Sequence, residues 1–245
     1  MAGNNLGQIA MRDDSAVPDA GKLHELLCKG RWYRSLPPEL QQRILAASRT
    51  RDFAKGEVIA LEGAAPAGMS AVLSGEVKLV RQARQGNESL LFTCEPGFWF
   101  GEYAVLTGEK TLVCAIAKTR ARLLVFPKRE FDRIVEEEPR YYRHFAALGL
   151  KHAAAFLKAF THASSLEPEA RLRGQLALLS LLKSNEDEVD APVELPYAQS
   201  ELASIIGVSR QTINQLMQTL AAKGLIQMGF KRVLVLAPQE LLASL

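Results

Sequence analysis

With 245 residues, 48% of them hydrophobic, the chain can bury one or two cores of its own. Its formal charge of +3 is mildly basic, compatible with a nucleic-acid partner but too small to identify one. Three scattered cysteines (Cys28, Cys94, Cys114) exclude a zinc site or disulfide framework, no apolar run approaches a membrane span and no signal core opens the chain, so a soluble cytoplasmic protein is expected.

Residues 1–22, polar and with several Gly, Asn and Asp, read as a loose tail. A helical pattern from Leu23 to about Ala47 is interrupted at Pro37-Pro38. Short β-like runs at 57–61, 70–73, 76–80, 90–93, 112–116 and 123–126 then alternate with glycine-bearing turns. Many short strands at this spacing predict an antiparallel sandwich or barrel, closed by a helical stretch at 128–137.

After Pro139 comes a long helical pattern with two apolar seams. Phe145, Leu148, His152, Ala155, Ala159 and His162 form one; Ala146, Gly149, Ala153, Phe156, Phe160 and Ala163 repeat it one residue on. Two stripes suit a helix with two duties, covering the β-domain on one side and pairing with its own copy on the other. The expected homodimer seam runs through Ala155 and Ala159, where small residues allow close approach; the rival is one wide stripe inside a monomer. His152 and His162 read as interface or core residues rather than metal ligands. A further helix begins at Glu167-Pro168, with Leu172, Leu176, Leu179 and Leu182 on one face, and the acidic run 186–190 is an exposed connection.

Residues 199–218 carry the pattern of a helix-turn-helix. Leu202, Ala203 and Ile206 are spaced for the inner face of a first helix, and Ile213 and Leu216 for that of a second. Gly207 stands where the chain must turn, Ser209 is an N-cap, and Lys223-Gly224 closes the second helix. Arg210, Gln211, Asn214, Gln215 and Gln218 are left on the outer face, with side chains that suit base edges. The plain alternative is a two-helix hairpin with a polar outside. Two strand-like runs, 225–228 and 233–236, follow, joined by the basic turn Gly229-Phe230-Lys231-Arg232. That is the pattern of a wing, with Lys231 and Arg232 expected on phosphates.

The order β-domain, long helix, winged helix-turn-helix resembles the Crp/Fnr family of regulators over roughly residues 24–245. The resemblance rests on glycines 56, 63, 75, 86, 97 and 101 and on the run G-V-S-R-Q-T-I. It implies an α+β fold: a tail (1–22), a cyclic-nucleotide-binding-like antiparallel β-roll (23–136), a dimerisation helix (137–164) and a winged helix-turn-helix domain (165–245). It also implies a homodimer on double-stranded DNA, with RNA polymerase as a partner of an activator. Ser209, Arg210, Gln211, Thr212, Asn214, Gln215, Lys231 and Arg232 become the DNA-binding set. Arg210 matches the family's guanine-reading arginine and Thr212 a phosphate-contacting position. Gln211 stands where many members carry Glu, and Gln215 where the cyclic AMP receptor has a second base-reading Arg.

Residues 98–104 are similar to the family's phosphate-binding cassette, which makes Gly101, Glu102, Tyr103 and Ala104 effector-site residues. The Arg-Ser or Arg-Thr pair of cyclic AMP binders is replaced by Thr111-Leu112, and the purine-facing helix positions are the apolar Phe156 and Leu157. Losing the guanidinium removes a charge-assisted contact of roughly 1.5–3 kcal/mol, so cyclic AMP is not the expected ligand. Glu102 leaves open another nucleotide-like effector, such as cyclic di-GMP; equally, Gly101-Glu102 can serve the β-fold alone, giving a degenerate sensor. An iron–sulfur cluster lacks its thiolates, since only Cys28 lies near the N-terminus, and residues 32–131 hold no histidine for haem. No metal spacing, nucleophile–base pair or P-loop appears, so an enzyme is not expected.

Overall fold

The computed structural model describes the backbone of residues 20–82, 88–163, 167–183 and 191–243, and the side chains of these except 20, 82, 158–163, 242 and 243. The tail up to residue 19, Gly86, the acidic run 186–190, and the side chains of Ala159, Phe160, His162 and Ala163 therefore lie outside the described residues.

Three helices lead in: α1 (Ala20–Leu27), α2 (Arg31–Arg34) and α3 (Pro38–Ala47). Pro38 starts α3 because a first-turn residue needs no amide donor. The strands follow as β1 (Arg49–Phe53), β2 (Val58–Ala60), β3 (Gly68–Ser74), β4 (Val77–Gln82), β5 (Glu88–Cys94) and β6 (Trp99–Phe100); then helix α4 (Glu102–Thr107), and β7 (Cys114–Ala117) and β8 (Ala121–Pro127). Two four-stranded antiparallel sheets result, β1-β8-β3-β6 and β2-β7-β4-β5. Val72, Val77, Phe92 and Leu123 fill the space between them. Met69, Ala71, Leu124 and Phe126 face the other way, into the helices. Buried on both faces, β3 shows no alternation of buried and exposed positions, and even Ser70 within it is buried.

Helix α5 (Lys128–Glu137) and a 3₁₀ turn (Pro139–Tyr141) lead to the 22-residue α6 (Tyr142–Ala163) and then α7 (Pro168–Lys183). Phe145 and Leu148 are buried in α6, with Phe126 stacked on Phe145 and the Trp32 indole donating to the His144 carbonyl at 2.7 Å. Ala155, on the same stripe, is 6% exposed and packs within the chain's own core. The stripe expected to pair with a second copy is thus turned inward. Large apolar side chains that α6 leaves open, among those described, include Leu150 (69% exposed), Leu157 (67%) and Phe156 (44%). The difference is rotational: the side chains needed to cover the β-roll select the stripe, and sequence spacing does not say which of two adjacent stripes they will take.

The C-terminal part comprises β9 (Val193–Leu195), α8 (Gln199–Ile206), α9 (Arg210–Ala222), β10 (Ile226–Gly229), β11 (Arg232–Val235) and α10 (Glu240–Ala243), with the strands ordered β10-β11-β9. Helix α7 is buried nearly all round, covering Leu172, Leu176, Leu179 and Leu182 but also Arg173, Ala177, Leu178 and Ser180, because it packs on α6 and carries the C-terminal module against the β-roll. Buried residues of roll and module form one continuous cluster. At their junction Tyr197, 1% exposed, accepts a hydrogen bond from the Thr93 amide at 2.6 Å.

Candidate DNA interface and effector pocket

The helix-turn-helix is built from local chemistry. The Glu201 carboxylate accepts from the Ala198 amide at 2.7 Å, holding the start of α8. Helix α8 ends at Gly207, whose φ of 71° and ψ of 45° place it in the left-handed region that glycine occupies without steric cost. Ser209 then caps α9, its hydroxyl accepting from the Thr212 amide at 3.0 Å and sharing a 2.8 Å hydrogen bond with the Thr212 hydroxyl. Leu202, Ala203, Ile206, Ile213, Met217 and Leu220 are buried between the helices. Leu216, expected on the inner face, is only half-buried, and Met217 takes the central place. Arg210, Gln211, Asn214, Gln215 and Gln218 are exposed along one side of α9. Spaced by one and four residues, they form one polar surface.

The wing carries Lys231 at φ 55°, the one non-glycine with positive φ among the described residues, which gives the hairpin its tight turn. The Lys231 ammonium lies 5.3 Å over the ring of Phe230, itself 89% exposed. Arg232 is engaged. It pairs with Glu194 at 2.9 Å and with two carboxylates of the β-roll, Glu95 at 3.8 Å and Glu76 at 4.0 Å. Lys118 bridges Glu76 (3.4 Å) and Glu201 (3.0 Å) and donates to the Pro196 carbonyl, while Lys183 pairs with Glu95 and donates to the Glu194 carbonyl. This network is invisible to motif reading, because its members are distant in sequence and share no spacing.

The second site lies between the β-roll, α4 and α6. Gly101, at φ 95°, has no alternative residue: a Cβ there would stand 2.8 Å from the Gly68 carbonyl oxygen. Glu102 follows as the first residue of α4, 8% exposed, with Oε1 2.8 Å from His152 Nδ1. The His152 ring stacks on Phe98 at 5.1 Å and 7°. Burial pushes the neighbouring Cys94 thiol well up, and the Glu102 charge adds to this.

A cavity of about 550 Å³ opens here, and Gly101, Glu102, Tyr103, Ala104, Thr111, Leu112 and Phe156 all line it. Leu157 does not. One residue on from Phe156, it is rotated about 100° around the helix and faces away, which corrects its expected place at the site. Thr111 is tied to the 61–64 turn, its hydroxyl donating to the Leu61 carbonyl and accepting from the Ala64 amide at 3.2 Å. Leu112 belongs to a bend rather than a strand, and the strand begins at Cys114. His152, read from sequence as core or interface, is a pocket residue; only its placement on an apolar seam one turn from Phe156 hinted at this. No Lys or Arg among the described residues lines the cavity, and no group of three or more His, Cys, Asp or Glu among them could hold a metal.

Fold and surfaces define a class: a nucleotide-sensor-type β-roll joined through a long helix to a DNA-reading head. The family model of the cyclic nucleotide-binding domain matches residues 50–138, and that of the Crp-like helix-turn-helix domain residues 171–244. The cyclic AMP receptor protein of Thermus thermophilus is 27% identical over 200 residues, covering 80% of this chain and 88% of that protein. A CRP-like cAMP-activated global transcriptional regulator of Mycobacterium tuberculosis is 21% identical over 213 residues, covering 87% and 95%. In fold, the chain is similar to FixK2 from Bradyrhizobium japonicum, with a TM-score of 0.65 at 14% identity, over 79% of this chain and 95% of that one. The chain belongs to the Crp/Fnr family of DNA-binding transcription regulators. No helix among its described residues is long and apolar enough to cross a membrane.

Proposed function

We propose that the protein acts as a homodimer on an inverted-repeat operator, under control of a small effector other than cyclic AMP. The observation that carries the DNA reading is the exposed row Arg210, Gln211, Asn214, Gln215 and Gln218 on a helix fixed by the Ser209 cap. Arg210 suits guanine, and the amides suit adenine. Ser209, Thr212, Lys231 and Arg232 serve phosphates. For Arg232 to do so it must exchange its carboxylate partners for DNA, so the docked arrangement described above is the one that precedes full engagement.

Dimerisation is supported by the open apolar face of α6, where Leu150 and Leu157 are more than half exposed. Against cyclic AMP stand Thr111 in place of arginine and the apolar Phe156, and a pocket without a lining Lys or Arg among the described residues supports both. A second reading, a degenerate sensor that is constitutive or controlled by a protein partner, draws on the steric demand at Gly101, which the β-fold alone explains.

The test is selection from random duplex DNA. The expected product is a pseudo-palindrome with half-site centres about 34–36 Å apart, one helical turn, as a two-fold protein requires. Recovery of unrelated sequences, or of a single half-site, would count against the reading.

A further inference from the structure

We propose that the cavity beside Glu102 takes an uncharged, largely apolar molecule carrying one hydrogen-bond donor, and that it rejects phosphate-bearing ligands. This deepens the effector reading above and rests on it. A volume of about 550 Å³ is in the range of small-molecule sites. Its walls are side chains such as Leu79, Leu91, Phe92, Phe100, Val113 and Phe156.

The charged anchor is singular. Apart from two tyrosines, the ionisable groups lining the cavity are Glu102 and His152, held together at 2.8 Å. With neutral imidazole the pair carries one negative charge; with imidazolium it carries none. It is positive in neither state. A phosphodiester brought into this chamber would meet no net counter-charge, because any imidazolium is already paired with Glu102, and in the first state it would meet a like charge; burying an ion unpaired is strongly unfavourable. Lys151 is not among the lining residues; it lines a smaller neighbouring cavity that shares Phe92, Phe98, His152 and Leu182 with this one.

The donor has a defined acceptor. His152 is the only hydrogen-bond partner of Glu102 among the described residues, and it takes Oε1. A ligand hydroxyl or amide N–H pointing at the other carboxylate oxygen satisfies an acceptor that an all-hydrocarbon ligand would leave dry and unpaired. Leu112 and Phe156, both part-exposed at the rim, make the entrance as apolar as the interior. Specificity then comes from charge exclusion and one hydrogen bond, the reverse of phosphate recognition by arginine.

The full-length protein is titrated with Nile red, a neutral dye that brightens in apolar surroundings, and the dye is then competed with 4-butylphenol, octan-1-ol, octyl phosphate and cyclic AMP. One dye per subunit is expected, displaced by the two neutral competitors at concentrations at least tenfold lower than octyl phosphate or cyclic AMP requires. Ala153→Trp, which fills the chamber from an exposed position on α6, should weaken the dye at least tenfold while circular dichroism stays unchanged. Leu112→Arg, adding the absent cation, and Glu102→Gln, removing the like charge, should each narrow the gap between octan-1-ol and octyl phosphate. Equal displacement by cyclic AMP, or dye binding untouched by Ala153→Trp, overturns the proposal. So does a parent that fails to bind dye when a monomeric Leu157→Glu variant, altered outside the cavity, does bind it, because a second copy of α6 then fills the chamber. Operator binding, measured on the same samples by anisotropy, fails independently if the DNA reading is wrong.

Discussion

Replacing Tyr197 with Phe removes a single oxygen from the junction of the β-roll and the DNA-reading module. Thr93 belongs to β5, an edge strand of its sheet, and its amide donates to the Tyr197 hydroxyl at 2.6 Å rather than to another strand or to water. Tyr197 is 1% exposed and Thr93 2%, so water cannot readily replace the lost acceptor. An orphaned buried amide costs about 1–3 kcal/mol, and Phe keeps the ring packing, so nearly all of that cost should appear as lost stability. For a chain of this size about 2–4 °C accompanies each kcal/mol, which predicts a thermal midpoint lowered by about 2–12 °C. Burial also pushes the Tyr197 hydroxyl up from its ordinary value of 10.0. A group raised on folding stabilises fully below its unfolded value and loses that contribution as pH rises past it. Tyr33, also pushed up by burial, behaves alike. Tyr103, Tyr141 and the Cys94 thiol are raised as well, so stability should fall as pH rises above about 9–10, and less steeply in Tyr197→Phe than in the parent, because one of the raised groups is gone. Calorimetry of both proteins from pH 7 to 11 reads both effects. An unchanged midpoint with an unchanged alkaline slope would refute the docked junction.

Glu95→Gln removes a carboxylate shared by Arg232 and Lys183; an exposed pair such as that with Arg232 is worth about 0.2–1 kcal/mol, so operator affinity should rise about 1.4- to fivefold at low salt, and an unchanged or weakened affinity by anisotropy would deny that the wing is held back. Arg232→Ala should weaken binding alike for all sequences and lower the salt slope of log K by about one, whereas a slope equal to the parent's removes Arg232 from the phosphate contacts. Leu150→Glu with Leu157→Glu places charge on the open face of α6 and should give monomers by sedimentation velocity. An intact dimer would move the interface elsewhere.

The parts that were legible in sequence are those fixed by local chemistry. The turn between α8 and α9 follows from a left-handed glycine and a hydroxyl cap a few residues apart, and both act over a single turn of chain. Strands with apolar faces between glycine turns were equally readable. What escaped depends on distant partners. Strand β1, Arg-Thr-Arg-Asp-Phe, has no apolar alternation; it is held by full pairing with β8 and by the Arg122 guanidinium forked onto Asp52 at 2.7 and 2.8 Å. Strand β9 is three residues completed by β11. The rotation of α6, which turned Ala155 inward and left Leu157 outside the pocket, is decided by Trp32, Phe126 and Phe131 around Phe145. The Glu102–His152 pair joins residues fifty positions apart.

The most direct measurement is operator selection carried out in parallel with the parent and with Arg210→Ala. Arg210 is exposed at the first turn of a capped helix, where one guanidinium can meet one guanine. The variant should lose about 1–3 kcal/mol on the parent's operator and relax its preference at one G·C pair in each half-site, leaving the rest of the inverted repeat intact. An unchanged preference at every position would contradict the assignment of α9 as the helix that reads the sequence.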